Sequence, residues 1–324
     1  MSAPAQHGTA TRGVAAVTGA TGFLGPHVLS ALAGRGWRLR MLARRAPAIE
    51  AGPEPVEVVP GDLADPAMLR RLVEGADAII HLAGTVRARR PADFDAANTE
   101  GTARLAETWR QVAPGAHFVL ISSMAAREPH LSPYAASKRA GEARLAAIAG
   151  EAGGYTILRP AAVYGPGDRE TLAVFRAADM AVQPLMNGPA ARLCLIHAAD
   201  VGAAIAAAAA SPPGGAVFEL SDARHEGYGW AEIAAVAAAA LGRTARPLRV
   251  PPAVLAALGL AGDAATALGL GTGMLTSAKR REMQHPDWSS RPAAQPPADL
   301  WRPVVPLAEG FRQTVSWYRA HGWL

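Results

Sequence analysis

The sequence predicts an α/β protein built on a Rossmann-type, doubly wound parallel sheet with a smaller C-terminal substrate-binding part. Three observations carry the prediction. Short apolar runs alternate with helical stretches through the first 160 residues, the pattern of strand–helix–strand units. Gly19, Gly22 and Gly25 stand at spacing G-x-x-G-x-x-G between the first apolar run and the first helical stretch. Such a turn lets backbone approach a pyrophosphate and aims a helix N-terminus at its charge. After Arg159-Pro160 the regular alternation is lost.

In order, 14–18 (Val-Ala-Ala-Val-Thr) reads as a strand, followed by the glycine turn and a helix to about residue 32. Apolar runs at 37–43 and 56–60 read as the second and third strands, with a helix over 66–74. A fourth strand at 78–82 precedes a long helix over 94–112, and 117–122 is the fifth strand. A helix carrying Tyr134 runs to about 149, and 155–158 is the sixth strand. Beyond it, 193–210 reads as a short strand and an Ala-rich helix, 216–220 as a strand, 230–241 as a helix, and the region of 311–318 as a closing helix. Residues 250–275 are apolar but interrupted by Asp263 and glycines. They fall short of the roughly 18 uninterrupted apolar residues a span needs, so a buried helical pair is expected.

Residues 1–12 contain no apolar core of the kind a signal peptide needs and read as a disordered leader. Residues 13–160 form the dinucleotide-binding domain. Residues 161–324 form most of the substrate-binding part, interleaved with the last strands of the sheet. Half of the 324 residues are hydrophobic, enough for a sizeable core. The single cysteine, Cys194, cannot form an intramolecular disulfide, which fits a reducing compartment and a cytoplasmic location. The formal charge is +5, but the arginines are scattered and no nucleic-acid-binding motif is visible. A small-molecule partner is expected, not a nucleic acid. The basic balance suits an anionic cofactor and leaves room for peripheral contact with anionic lipid. No metal is expected.

A carboxylate about twenty residues past such a glycine turn binds a ribose 2′-hydroxyl. Here no Asp or Glu occurs before Glu50, and Arg44 and Arg45 follow the second strand. A guanidinium pairs with the 2′-phosphate that a carboxylate would repel, so the expected cofactor is NADP(H), with NAD(H) as the alternative. Of the 32 basic residues only Lys138 and Lys279 are lysines. Lys138 stands four residues after Tyr134, on the same helix face. An ammonium there is expected to favour the phenolate and lower the phenol's pKa.

These residues resemble the extended short-chain dehydrogenase/reductase superfamily, the NAD(P)-dependent epimerase/dehydratase family. The resemblance is most specific over 17–25, 61–63, 81–85, 118–138 and 159–200. It implies a cofactor held by Gly19, Thr21, Gly22, Phe23, Leu24, Gly25, Arg44, Arg45, Asp62, Leu63, Ala83, Gly84, Thr85, Ser122, Tyr134, Lys138, Pro160 and Val163. It implies that Ser123, Tyr134 and Lys138 are catalytic, with Ser123 and Tyr134 hydrogen-bonding the reacting oxygen. Asn98, His197 and Asp200 resemble positions that brace the fold. A homodimer through paired helices is common in such relatives.

Two departures bear on substrate. The segment Arg159-Pro160-Ala161-Ala162-Val163-Tyr164-Gly165-Pro166 has Ala162 where nucleotide-sugar members carry an Asn. Met124 to Glu128 replaces the Tyr-Gly pair those members tend to carry after the serine. The Arg-Pro-x-x-Val-x-Gly-Pro form resembles the dihydroflavonol reductase, 3β-hydroxysteroid dehydrogenase and keto-lipid reductase branches. The implied activity is NADP(H)-dependent reduction of a carbonyl, or oxidation of the matching alcohol, on a small apolar or lipid-like substrate. Met180, Met186 and Met274, with the apolar 250–275 segment, would suit such a pocket. A nucleotide-sugar epimerase or dehydratase is the first alternative. A non-catalytic NADP-binding subunit or assembly factor is the second, disfavoured by the intact Ser123, Tyr134 and Lys138.

Overall fold

The apolar runs of the first half become one parallel sheet. The computed structural model describes residues 12–45, 55–244, 246–268, 270 and 275–324. The sheet contains β1 (Val14–Thr18), β2 (Arg38–Ala43), β3 (Glu57–Pro60), β4 (Ala78–His81), β5 (His117–Ile121) and β6 (Tyr155–Pro160), joined from the second half by β11 (Ala216–Leu220). Their spatial order is β11-β6-β5-β4-β1-β2-β3, every neighbouring pair parallel. β1, β4 and β5 are buried along their whole length, as a sheet covered on both faces requires. The winding direction reverses between β1 and β4. That reversal opens a crevice at the carboxyl ends of the strands, where ligands bind in this architecture. Three short parallel ribbons pair β7 (Ala162–Tyr164) with β10 (Leu195–His197), β8 (Gln183–Leu185) with β12 (Pro247–Arg249), and β9 (Arg192–Leu193) with β13 (Asp287–Trp288).

Helices α1 (Gly25–Ala33) and α7 (Ala198–Ala209) cover one face of the sheet; α2 (Pro66–Val73), α4 (Gly101–Val112) and α5 (Pro133–Ala149) cover the other. Small residues set the spacing. A Cβ at Gly202 of α7 would stand 2.6 Å from the His27 carbonyl of α1. A third core, with Tyr164, Phe175, Ile233, Phe311 and Tyr318, joins α6 (Leu172–Ala178), α8 (Trp230–Leu241) and α11 (Leu307–Ala320). The remaining helices are α3 (Pro91–Phe94), α9 (Pro252–Ala267) and α10 (Ser277–Gln284).

Two expectations change. The helix expected over 94–112 is broken: α3 leads into a π-helical turn, Asp95–Glu100, before α4. The wider turn carries Asn98 into the interior, where its side chain bonds the backbone of Thr85 and the hydroxyl of Ser137, and local insertions of this kind mark functional sites. The 250–275 segment was expected to be buried, yet on α9 only Leu255, Gly259 and Gly262 are. Met180 is exposed and Met186 half-buried. Met274 and residues 1–11 of the leader lie outside the described residues. Among the described residues no helix is long and apolar enough to cross a membrane.

Candidate active site

The glycine turn follows β1 directly. Gly19 has φ +73°, and a Cβ there would lie 2.4 Å from the Ala83 amide nitrogen. At Gly25 it would lie 1.7 Å from the Ala20 carbonyl oxygen. Only glycine permits the chain to fold back this tightly against the strand β4 exit. Thr21 and Gly22 are exposed in the turn, with Phe23 and Leu24 half-buried behind it. Among the described residues no side chain caps the α1 N-terminus, and no acid occupies its first turn. An uncapped helix start with a positive dipole end fits a pyrophosphate. Thr18 of β1 pairs with Leu42 of β2, so Arg44 emerges beside the glycine turn. Arg44 and Arg45 are exposed.

Asp62 accepts from the Ala64 amide at 2.8 Å. Leu63 packs where a side chain at Gly101 would otherwise stand. Ala83, Gly84 and Thr85 leave β4 along the crevice. Thr85 is held by Asn98 Oδ1 at 2.8 Å. A Cβ at Gly84 would approach Lys138 Nζ to 3.8 Å, which places the β4 loop against the Lys138 side chain. Beneath it lies buried His81. Its Nδ1 meets Thr18 Oγ1 at 2.6 Å and its Nε2 meets Thr102 Oγ1 at 3.1 Å. Thr102 donates to the Asn98 carbonyl, so His81 carries its proton on Nε2 and accepts from Thr18. Burial, with a smaller push from Lys138, holds its pKa down at about 3, so it stays neutral and pins β1, β4 and α4 together.

α5 begins where Ser132 caps it, accepting from the Ala135 amide at 3.0 Å, with Pro133 in the first turn. This start sets the helical phase of Tyr134 and Lys138. A Cβ at Gly141 would lie 2.5 Å from the Asn98 carbonyl, so α5 approaches the π-turn closely. Lys138 donates from Nζ to the Ile121 carbonyl at 2.6 Å. Ser123 follows β5, half-buried, and its hydroxyl accepts from the Ala125 amide at 3.1 Å. Ser123, Tyr134 and Lys138 thus meet at the carboxyl end of β5.

The electrostatics differ from expectation. The Tyr134 phenol is pushed up to about 12, not lowered. Burial is the chief cause; the Glu282 and Glu170 carboxylates add to it, and a hydrogen bond with Ser123 opposes it. Burial lowers Lys138 to about 8, against a rise from Glu142. Desolvation is the largest influence on both groups, and the phenol's pKa is not lowered.

Ser122, expected at the cofactor, turns its hydroxyl inward to Glu142 at 2.5 Å. Glu142 also receives Arg159 Nε at 2.8 Å and Nη2 at 2.5 Å. Glu142 escaped the sequence reading, although its position one turn beyond Lys138 is a helical-spacing signal. Glu282 of α10, which accepts from Ser132, escaped it entirely; no local spacing links residues so far apart. Pro160 is buried at the end of β6, and Val163 is half-buried on β7. Asp200 accepts from the Val304 and Val305 amides, both at 3.0 Å, and His197 Nδ1 from the Ala199 amide; both serve the backbone.

A model of the NAD dependent epimerase/dehydratase family matches residues 15–220. The chain belongs to that family. It is an NAD(P)-dependent oxidoreductase of the extended short-chain type. Ceramide reductase of Caulobacter vibrioides is 45% identical over 318 residues, covering 98% of each chain. A 4-hydroxy-2-methyl-3-oxo-4-farnesyl-3,4-dihydroquinoline-1-oxide ketoreductase of Stigmatella aurantiaca is 29% identical over 227 residues, 64% of this chain and 67% of that one. The structure of MoeE5 in complex with UDP-glucuronic acid and NAD superposes with a TM-score of 0.69 at 21% identity, over 95% of this chain and all of that one. That likeness establishes the shared fold. The two reductases agree with the placement beside keto-lipid reductases.

Proposed function

We propose that this protein reduces the ketone of a ceramide-like lipid with NADPH, using Tyr134 as proton donor. The observation that carries the reading is the meeting of Ser123, Tyr134 and Lys138 beside Gly84, at the crevice that the glycine turn opens. The near full-length similarity to a ceramide reductase supports the substrate class. The uncapped α1 start fits the pyrophosphate, and Arg44 and Arg45 fit a 2′-phosphate.

NADPH, when bound, supplies the hydride. The chain's own residues manage the oxygen. Ser123 and Tyr134 hydroxyls donate to the carbonyl, and each positioned donor contributes about 3–4 kcal/mol in comparable sites. As the oxygen gains negative charge it takes the Tyr134 proton. A phenol raised to about 12 remains protonated at neutral pH, which suits the reductive direction. The Lys138 ammonium, one turn along α5 and held on the Ile121 carbonyl, would orient the cofactor's nicotinamide ribose. No carboxamide stands at position 162, so the site lacks the Asn side chain typical of nucleotide-sugar enzymes.

The test is Tyr134→Phe. Turnover of a ketoceramide should fall by about a thousandfold or more, the scale of a lost acid and donor, while NADPH still raises the melting temperature. Normal turnover by the variant would refute the role of Tyr134. Reduction of nucleotide-sugar ketones in preference to lipid ketones would refute the substrate class.

A further inference from the structure

The outward face of α9 is apolar where a water-facing helix would be polar. Its inner face, Leu255, Gly259 and Gly262, packs on α10. On the opposite side stand Ala253, Ala257, Leu260, Ala264 and Leu268, all exposed and none charged. Six of the twelve large apolar side chains exposed among the described residues fall between 248 and 270. Leu248 is 63% exposed, Leu260 66%, Leu268 75% and Leu270 78%. The one acid on α9, Asp263, is turned to α10, where it accepts from the Ser277 amide at 3.0 Å.

Cations precede this face in the sequence. Between 243 and 262 there are three arginines and no acid. Arg243 pairs with Asp179 at 3.0 Å. Arg246 and Arg249 are exposed on either side of Leu248, and neither guanidinium has a partner among the described residues. At 16 residues, α9 is about 24 Å long, which is short for a span. An apolar helix lying flat, preceded by free arginines, is the composition that binds an anionic bilayer surface. α10 connects this face to the site, since its Glu282 accepts from Ser132, two residues before Tyr134.

We propose that α9 and the β12 segment form a peripheral docking surface for an anionic lipid bilayer, with Leu248, Leu260 and Leu268 entering the headgroup layer and Arg246 and Arg249 pairing with lipid phosphates. Docking goes beyond the catalytic reading and does not require it. Flotation of the full chain with vesicles, without cofactor or substrate, tests docking alone.

With phosphatidylglycerol–phosphatidylcholine vesicles the protein should float, and added salt should release it; with phosphatidylcholine alone it should stay behind. Leu260→Glu/Leu268→Glu and Arg246→Gln/Arg249→Gln should each weaken binding by about tenfold or more. NADPH-dependent stabilisation should remain, which reports folding. Absence of flotation by the natural chain, or unchanged flotation of both variants, overturns the proposal. So does a dimer in sedimentation equilibrium that Leu260→Glu/Leu268→Glu converts to monomer, because a second copy then covers the face.

Discussion

Replacing Glu142 with Gln should weaken the fold and shift the pH range of catalysis together. Glu142 and Arg159 leave 5% and 9% of their side chains exposed, and they meet through two hydrogen bonds, with Ser122 as a third partner. Removing one member of such a buried pair costs about 3–5 kcal/mol, because the other charge is stranded. Gln keeps one acceptor oxygen, and Glu219 still acts on Arg159, so the low end, about 3 kcal/mol, is expected. For a chain of this size that is a fall in Tm of roughly 4–5 °C. The same carboxylate raises the Lys138 pKa, which burial holds at about 8. One helical turn separates them, about 6 Å, where a unit charge at an effective dielectric of 20–40 is worth on the order of one to two pH units. The ammonium is the working form and disappears as pH rises through its pKa. Loss of Glu142 therefore moves the alkaline limb of kcat/KM downward, and activity at pH 8 should fall more than at pH 6. Urea unfolding and a pH–rate profile read the two effects. A Glu142→Leu/Arg159→Met double variant, which strands no charge, should be more stable than Glu142→Gln. An unmoved alkaline limb, or a double variant no better than the single, would refute the coupling of this pair to Lys138.

Two further outcomes follow from the cofactor crevice. Arg44→Asp should lower NADPH affinity and raise the NADH share, read as the ratio of kcat/KM for the two cofactors; an unchanged ratio removes Arg44 from the 2′-phosphate site. Gly19→Ala should abolish stabilisation by either cofactor, since its Cβ would meet the Ala83 backbone at 2.4 Å with φ at +73°; cofactor-induced thermal shifts equal to those of the natural chain would show that the turn yields without cost.

Local chemistry made much of the architecture legible. The strand run 14–18 appears at its expected bounds because a strand buried on both faces is written as a continuous apolar run; the strand 216–220 and the helix 230–241 also appear at the expected bounds. The Tyr134–Lys138 pair and the glycine turn were likewise visible as spacings on one helix and one loop. The π-turn at Asp95–Glu100 was not, because its cause is the hydrogen bonding of Asn98 to Thr85 and Ser137, from a distant loop and helix.

The amino-acid sequence alone determined the parallel sheet, the glycine turn after its first strand and the spacing of Tyr134 and Lys138 on one helix. Periodicity, glycine placement and the absence of an early carboxylate are properties of neighbouring residues. Tertiary structure alone decided the electrical state of the site. It raised Tyr134 and lowered Lys138 through burial, tied Ser122 to Glu142 and set Glu282 beside the α5 cap. It also turned one face of α9 outward. Desolvation and long-range contact depend on what packs around a group, and no local pattern records that.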